Sequence, residues 1–111
     1  MQIEQVVQDY LTNELGNIGV YPENPKPLPD KYVTFRIMDR EKRNHINGVT
    51  FEFSSLASSK FEAAQLDELV RDAMENIIVI SDISCHFGGG NDDMDTSINK
   101  YRYRCYFNLF Y

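Results

Sequence analysis

The residues of this sequence that could do chemistry are few. Histidine occurs only at His45 and His86, and cysteine only at Cys85 and Cys105. An activated nucleophile needs a base within hydrogen-bond reach and a further group that orients this base. No nucleophile-elbow pattern surrounds any serine, and the sequence supplies no base and orienting group for one. The sequence therefore predicts no catalytic residues, and we expect a protein that is not an enzyme.

Metal and cofactor sites are not predicted either. Cys85 and His86 are adjacent, and adjacent side chains on a strand point to opposite faces, so they would not easily share one zinc ion. The acidic run Asn91–Asp95 lacks the ligand spacing and the final Glu of an EF-hand loop. The aspartates that follow Gly88–Gly90 would repel a phosphate. We expect no metal, no cofactor and two reduced, buried cysteines, with a disulfide between neighbouring strands as the alternative.

Composition and charge are those of one globular domain. The 111 residues are 42% apolar and 25% charged, and we expect a single domain over residues 1–111. The longest apolar run, Ile77–Ile80, is far shorter than the roughly 20 residues of a membrane span. The opening Met1–Glu4 does not resemble a signal peptide. The net charge of −6 argues against nonspecific binding of nucleic acid by the whole surface. We also expect no membrane partner and no specific nucleic-acid binding.

The first half of the chain predicts one helix and three strands. Apolar spacing predicts a helix over residues 2–15 and a short strand at Ile18–Tyr21. Four prolines then predict a stiff extended connector. Two alternating strands follow around a polar hairpin loop, Asp39–Gly48, which contains a basic cluster. These strands are predicted at Tyr32–Met38 and Val49–Ser55.

A second amphipathic helix begins after Ser59, which with Glu62 three residues later fits a capping box. Its predicted buried stripe is Phe61, Ala63, Leu66, Leu69, Val70, Ala73, Met74 and Ile77. Its predicted exposed face is strongly acidic: Glu62, Asp67, Glu68, Asp72 and Glu75. Such a charged face is typical of solvent exposure.

The chain closes with two more strands. Residues 83–87 alternate, residues 88–99 are predicted as a flexible acidic loop, and Lys100–Tyr111 is an aromatic strand without Gly or Pro. The odd face of the closing strand is predicted as core, while Tyr106 and Phe110 lie on the other face. The predicted fold is α+β, a largely antiparallel or mixed sheet of about four to five strands with two helices on one face, in the order α-β-β-β-α-β-β.

The order of elements, and the run Val20-Tyr21-Pro22 followed by a proline-bearing linker into Tyr32-Val33-Thr34-Phe35, resembles the tail-completion or tail-terminator proteins of tailed bacteriophages and prophages. The resemblance covers nearly the whole chain. It implies a small α+β virion protein, made in the host bacterial cytoplasm, that forms a homo-oligomeric ring, often a hexamer, at the head-tail junction. It also implies contacts with the tail tube and with neck or connector proteins.

A ring subunit needs two different, complementary surfaces. We hypothesise that one lies at the aromatic end and the hairpin, with these interface residues: Tyr106, Phe110, Tyr111, Arg40, Lys42 and Arg43. We hypothesise that Glu68, Asp72 and Glu75 face a lumen through which DNA passes without sticking. Truncation after Cys105 is then expected to leave a soluble monomer. The alternatives are a neck or head-tail connector protein of similar fold, or a non-viral interaction or regulatory module with an acidic binding face.

Overall fold

The protein has two helices and five strands in the part of the chain that the structure describes. The structure is a computed structural model and describes residues 2–16, 18–43, 46–77, 83–95 and 99–111. His45 and most of the apolar run after Ile77 lie outside these ranges. The elements are α1 (Ile3–Leu15), β1 (Val20–Tyr21), β2 (Lys31–Arg43), β3 (Ile46–Ala57), α2 (Lys60–Glu75), β4 (Ser84–Asp95) and β5 (Lys100–Phe110).

The strands form one mixed sheet in the order β1-β2-β3-β5-β4. Only the β1–β2 pair is parallel, and the other three pairs are antiparallel. The α+β class and the element order are therefore confirmed. The closing strand β5 lies between β3 and β4, so the last residues of the chain form an interior strand of the sheet.

The core lies between one face of the sheet and the two helices. Alternation along β3 and β5 points Phe51, Phe53 and Phe107 toward the helices, and each is at most 1% exposed. The three rings contact one another, with centroids 5.5 Å apart for Phe51–Phe53 and 6.2 Å for Phe53–Phe107. The helices meet where the Tyr10 hydroxyl donates a hydrogen bond of 2.5 Å to the carbonyl of Ala73. Leu109 is also fully buried, so truncation after Cys105 would remove core residues as well as the chain end.

Helix α2 begins as predicted, but its faces differ from the prediction. The Ser59 hydroxyl accepts the backbone N–H of Glu62 at 3.2 Å, which satisfies one of the free donors of the first turn. Phe61 and Leu69 were expected in the core and are instead 71% and 50% exposed. Asp67 was expected at the surface and is only 4% exposed. The buried stripe of α2 is narrower than predicted. One side of α2 packs against the sheet, and α1 covers only part of a neighbouring side of this helix.

The prediction of a loop over Asp39–Gly48 is wrong for most of these residues. Strands β2 and β3 continue pairing as far as Arg43 and Ile46, and residues 44–45 lie outside the described ranges. A bulge between Ile37 and Asp39 adds one residue to β2. Polar side chains did not prevent pairing here. Once two strands are paired, each further residue pair adds backbone hydrogen bonds and costs only the conformational entropy of those two residues.

The predicted flexible loop over residues 88–99 is also wrong. Strand β4 runs to Asp95 and pairs with β5 as far as Lys100. The glycines mark a second bulge, between Phe87 and Gly89, and Gly89 adopts a φ of +122°, which glycine tolerates far better than other residues do. Only residues 96–98 of that loop lie outside the described ranges. Within those ranges, no helix is long and apolar enough to cross a membrane.

Candidate assembly surfaces

The face of the sheet that points away from the helices is the first candidate surface. Tyr106 and Phe110 lie on it, both half-buried, opposite Glu52 and Gly48 of β3. The Phe110 ring also contacts His86 of β4, with centroids 6.0 Å apart. Both aromatic residues are therefore on the predicted face, and they form part of a broad surface that no described helix covers.

A polar cleft of about 290 Å³ occupies the same face toward the start of β2. Three arginines line it, Arg36, Arg102 and Arg104, and residues 22–24 of the proline connector form one wall. Arg36 donates two hydrogen bonds, of 3.1 and 3.2 Å, to the carboxylate of Glu52. Because Glu52 is 7% exposed and Arg36 remains exposed, the buried carboxylate is satisfied while the cation still faces solvent.

Arg40, one of the predicted basic interface residues, does not share this surface. The bulge in β2 reverses its alternation, so Arg40 pairs across from the buried Val49 and lies on the helix side of the sheet. There the Arg40 guanidinium binds Glu4 of α1 at 3.0 Å. Lys42 is exposed in the extended hairpin, and the side chain of Arg43 lies outside the described part. The predicted interface set is therefore divided between two sides of the sheet.

Tyr111 follows the end of β5 and is held by the hairpin. Its N–H donates to the carbonyl of Asn47 at 3.0 Å, and its carbonyl accepts the Asn47 N–H at 3.1 Å. Its side chain packs partly against the core. This residue therefore extends the sheet by one more pair and is less available as a docking residue than Tyr106 or Phe110.

The outward face of α2 is the second candidate surface. Glu68, Asp72 and Glu75 are all exposed there, as predicted. Phe61 and Leu69 share this part of the helix surface and are among its exposed apolar residues. The surface is thus acidic and apolar together, and it lies on the opposite side of the molecule from Tyr106 and Phe110.

A buried polar cluster beneath α2 was missed by the sequence reasoning. Asp67 binds Arg71 one helical turn later, at 2.8 Å between Oδ2 and Nε, and accepts a hydrogen bond from the thiol of Cys105. Burial raises the pKa of Asp67, and Arg71 and Cys105 offset only part of that effect. The sequence did indicate this ion pair, because Asp67 and Arg71 are four residues apart on a predicted helix. Such spacing does not distinguish a buried ion pair from an exposed one.

Arg71 accounts for Gly90, the last glycine of the run Gly88–Gly90. Its guanidinium lies over the Phe87 ring, 4.7 Å from the centroid, and against the backbone of Gly90. A Cβ at residue 90 would collide with this guanidinium and would lie 2.7 Å from the carbonyl oxygen of Arg104. The missing side chain at Gly90 therefore leaves room on β4 for the guanidinium of Arg71 from α2.

Replacing Gly90 by alanine should destabilise the protein by about 1–3 kcal/mol, because either Arg71 or the β4 backbone must move. The free energy of unfolding from urea titration measures this loss. Asn91→Ala is the matched control on an exposed neighbour and should change it by less than about 0.5 kcal/mol. Equal stability of the two variants would show that Arg71 does not hold β4.

Both cysteines are free, which agrees with the prediction of reduced thiols. Cys105 is buried as predicted, whereas Cys85 is only half-buried. Cys85 is opposite Leu109 and Cys105 is opposite Gly90, so four residues of β5 separate the two levels. At about 3.3 Å per residue this distance is too long for a disulfide. Burial, with a smaller effect of Glu75, raises the pKa of Cys85 to about 12. Burial and the charge of Asp67 raise the pKa of Cys105 still further.

The thiolate is the reactive form of cysteine, and a raised pKa keeps the thiol protonated at neutral pH. We therefore expect slow alkylation of both cysteines by iodoacetamide at pH 7–8 in the native protein, and rapid alkylation of both in denaturant. Mass spectrometry of samples taken at successive times gives the number of alkylated cysteines. Fast modification of native Cys85 would contradict the burial that we describe.

The described residues contain no group of three or more His, Cys, Asp or Glu side chains that could hold a metal ion. Comparison with known proteins gives no matching family model and no match among curated sequences. Comparison of the structure is informative. A chain of the structure described as "Virion of native gene transfer agent (GTA) particle" superposes with a TM-score of 0.69.

The fold resembles that of a gene transfer agent virion chain. The match covers 97% of this chain and 92% of the gene transfer agent chain, so it includes the hairpin, both helices and the closing strand. Sequence identity is 16%. At that identity the likeness to the gene transfer agent chain establishes a shared fold.

Proposed function

We propose that this chain is a structural protein of a phage-like virion and that it acts as a ring subunit at the head-tail junction, as a tail-completion or tail-terminator protein does. The observation that carries the proposal is the likeness to the gene transfer agent virion chain over almost the full length of both chains. In this role the chain acts through contacts with other copies and with tail-tube and neck proteins, and no chemical step is required of it.

The distribution of surfaces supports a role in assembly. Two unlike surfaces lie on opposite sides of the sheet, one carrying Tyr106 and Phe110 and the other carrying Glu68 and Asp72. Unlike surfaces on one subunit permit head-to-tail contacts, which close into rings when the rotation between copies allows it. The molecule is also elongated, 44 Å along its longest axis, which gives it reach toward a neighbouring component.

The proposed location is tested on particles. Immunogold labelling of purified particles with an antibody against this chain should mark the head-tail junction. Deleting the gene should yield separate heads and tails with tails of irregular length, and the cloned gene should restore joined particles. Label along the whole tail or on the capsid would contradict the proposal. Label at the junction with normal tail length in the deletion strain would indicate a neck or connector protein instead.

A further inference from the structure

The second half of β4, residues 89–95, has few side-chain contacts that keep it in the sheet. Strand β4 is the last of the sheet and pairs only with β5. From residue 88 to Met94, each residue whose exposure the structure describes is exposed or half-buried. The neighbouring strand β5 instead places Cys105, Phe107 and Leu109 in the core, each at most 1% exposed. Because apolar burial supplies most of the free energy that holds a fold together, residues 89–95 depend on other contacts. We call these residues the strap.

A hinge lies at the start of the strap. The bulge between Phe87 and Gly89 interrupts the regular pairing with β5, and Gly89 adopts a φ of +122°. Consecutive glycines restrict backbone rotation least. The residues before the hinge are anchored, because Ile83 is fully buried and the Phe87 ring contacts Phe107 with centroids 5.4 Å apart. The backbone can therefore rotate at residues 88–89 while the first half of β4 stays packed.

Helix α2 holds the strap through the side chain of Arg71. The guanidinium lies against the backbone of Gly90, where an added Cβ would collide with it. Its Nε is 2.8 Å from Oδ2 of Asp67, which is itself only 4% exposed. A second contact joins Nζ of Lys60 to Oδ2 of Asp92 at 3.6 Å, but both side chains are more than half exposed, and such ion pairs contribute little. The contact of the strap with α2 therefore depends mainly on Arg71.

We propose that the strap opens as a unit about residues 88–89 while the rest of the sheet stays folded, and that the Asp67–Arg71 ion pair keeps it closed. Opening breaks the β4–β5 pairing between Gly89–Tyr106 and Asp95–Lys100 and releases the backbone freedom of the strap. It loses little buried apolar surface, which is the property of segments that open locally.

The ion pair also gives the strap its closed position. Asp67 is fixed on the buried side of α2, so its carboxylate directs the guanidinium of Arg71 toward Gly90. The closed strap covers one edge of β5, and an uncovered strand edge readily pairs with other chains. The ion pair thus controls whether this edge is accessible.

Hydrogen exchange measured by mass spectrometry on the purified full-length chain tests the proposal. In the wild-type protein, a peptide covering residues 89–95 should exchange at least about tenfold faster than one covering residues 49–57 of β3. The variant Asp67→Asn with Arg71→Met removes both charges together, which leaves no lone charge in the buried site. It should speed exchange in residues 89–95 by at least about a further tenfold and leave residues 49–57 unchanged.

The matched control is Glu4→Gln with Arg40→Met, which removes both charges of another ion pair between a helix and a strand. It should leave exchange in residues 89–95 unchanged. Should the Asp67–Arg71 variant fail to fold, the wild-type protein in low concentrations of urea decides the question. Local opening exposes little surface, so exchange in residues 89–95 should respond weakly to urea, whereas exchange in residues 49–57 should respond strongly.

Equal exchange of the two peptides in the wild-type protein, or an equal response of both to urea, would overturn the opening of the strap. If the Asp67–Arg71 variant speeds exchange in both peptides by the same factor, the ion pair stabilises the whole fold and does not act as a clamp. An equal effect of the control variant would refute the clamp as well. These measurements concern the isolated chain, so their outcome does not depend on the proposed virion role.

Discussion

Truncating the chain after Cys105 is expected to abolish the folded state. The deletion removes Phe107 and Leu109, which are 1% and 0% exposed, from the centre of the core. Losing one large buried side chain costs about 2–5 kcal/mol. The deletion also removes the partners of β3 from Gly48 to Glu52 and of β4 from Ser84 to Gly89. The two buried side chains alone account for about 4–10 kcal/mol, which is comparable to the roughly 5–15 kcal/mol that stabilises a typical domain, and the lost strand pairing adds to this.

Far-ultraviolet circular dichroism and a urea titration of the truncated chain check this expectation. Removal of Tyr111 alone is the control, because it breaks only the two backbone hydrogen bonds to Asn47 and the partial contact of its ring with the core. That variant should remain cooperative with a modest loss of stability. A folded, soluble monomer after truncation at Cys105 is the result that the sequence reasoning expected, and it would show that β5 is dispensable to the sheet.

Replacing Phe107 by alanine should lower the free energy of unfolding by about 3–5 kcal/mol. The Phe107 ring contacts Phe53 with centroids 6.2 Å apart and Phe87 with centroids 5.4 Å apart. Phe107 is also paired with Phe51 of the neighbouring strand β3. Close-packed neighbours fill such a cavity only partly, so the variant loses both burial and contacts. Urea titration measures the change.

Phe110→Ala is the matched control for Phe107→Ala, since it removes the same side chain from the same strand on the opposite face. Phe110 is only half-buried, so we expect a loss of about 1 kcal/mol. Phe110→Ala should weaken self-association, whereas Phe107→Ala should act on folding. Similar stability losses at the two positions would mean that the outer face is as closely packed as the core, which would argue against an open docking surface.

Comparison of α2 with β4 shows what sequence patterns can predict. The capping residue Ser59 and the buried positions Ala63, Leu66 and Val70 were predictable, because helical capping and periodicity are local properties. Leu69 was misassigned because a helix pattern shows which face is apolar, and not how much of that face a neighbouring element covers. Asp67 was misassigned because its partner Cys105 comes from a distant strand.

The glycine run of β4 could not be interpreted locally at all. Glycine, asparagine and aspartate favour turns and loops, and residues 88–95 contain little else. Their strand conformation depends on β5, which pairs with residues 89–95, and on Arg71, whose guanidinium needs the space above Gly90. A similar non-local effect moved Arg40 to the helix side, since a single bulged residue near Met38 changes the face of every residue after it.

By itself, the sequence determined the two helices, the pairing of β2 with β3, the α+β class and the aromatic character of the closing strand. Each of these follows from apolar periodicity and turn chemistry within about 15 neighbouring residues. The tertiary structure alone decided the interior position of β5 in the sheet, the strand state of residues 88–95 and the placement of the two unlike surfaces on opposite sides. Those features depend on pairing between residues far apart in the chain, for which local patterns contain no information.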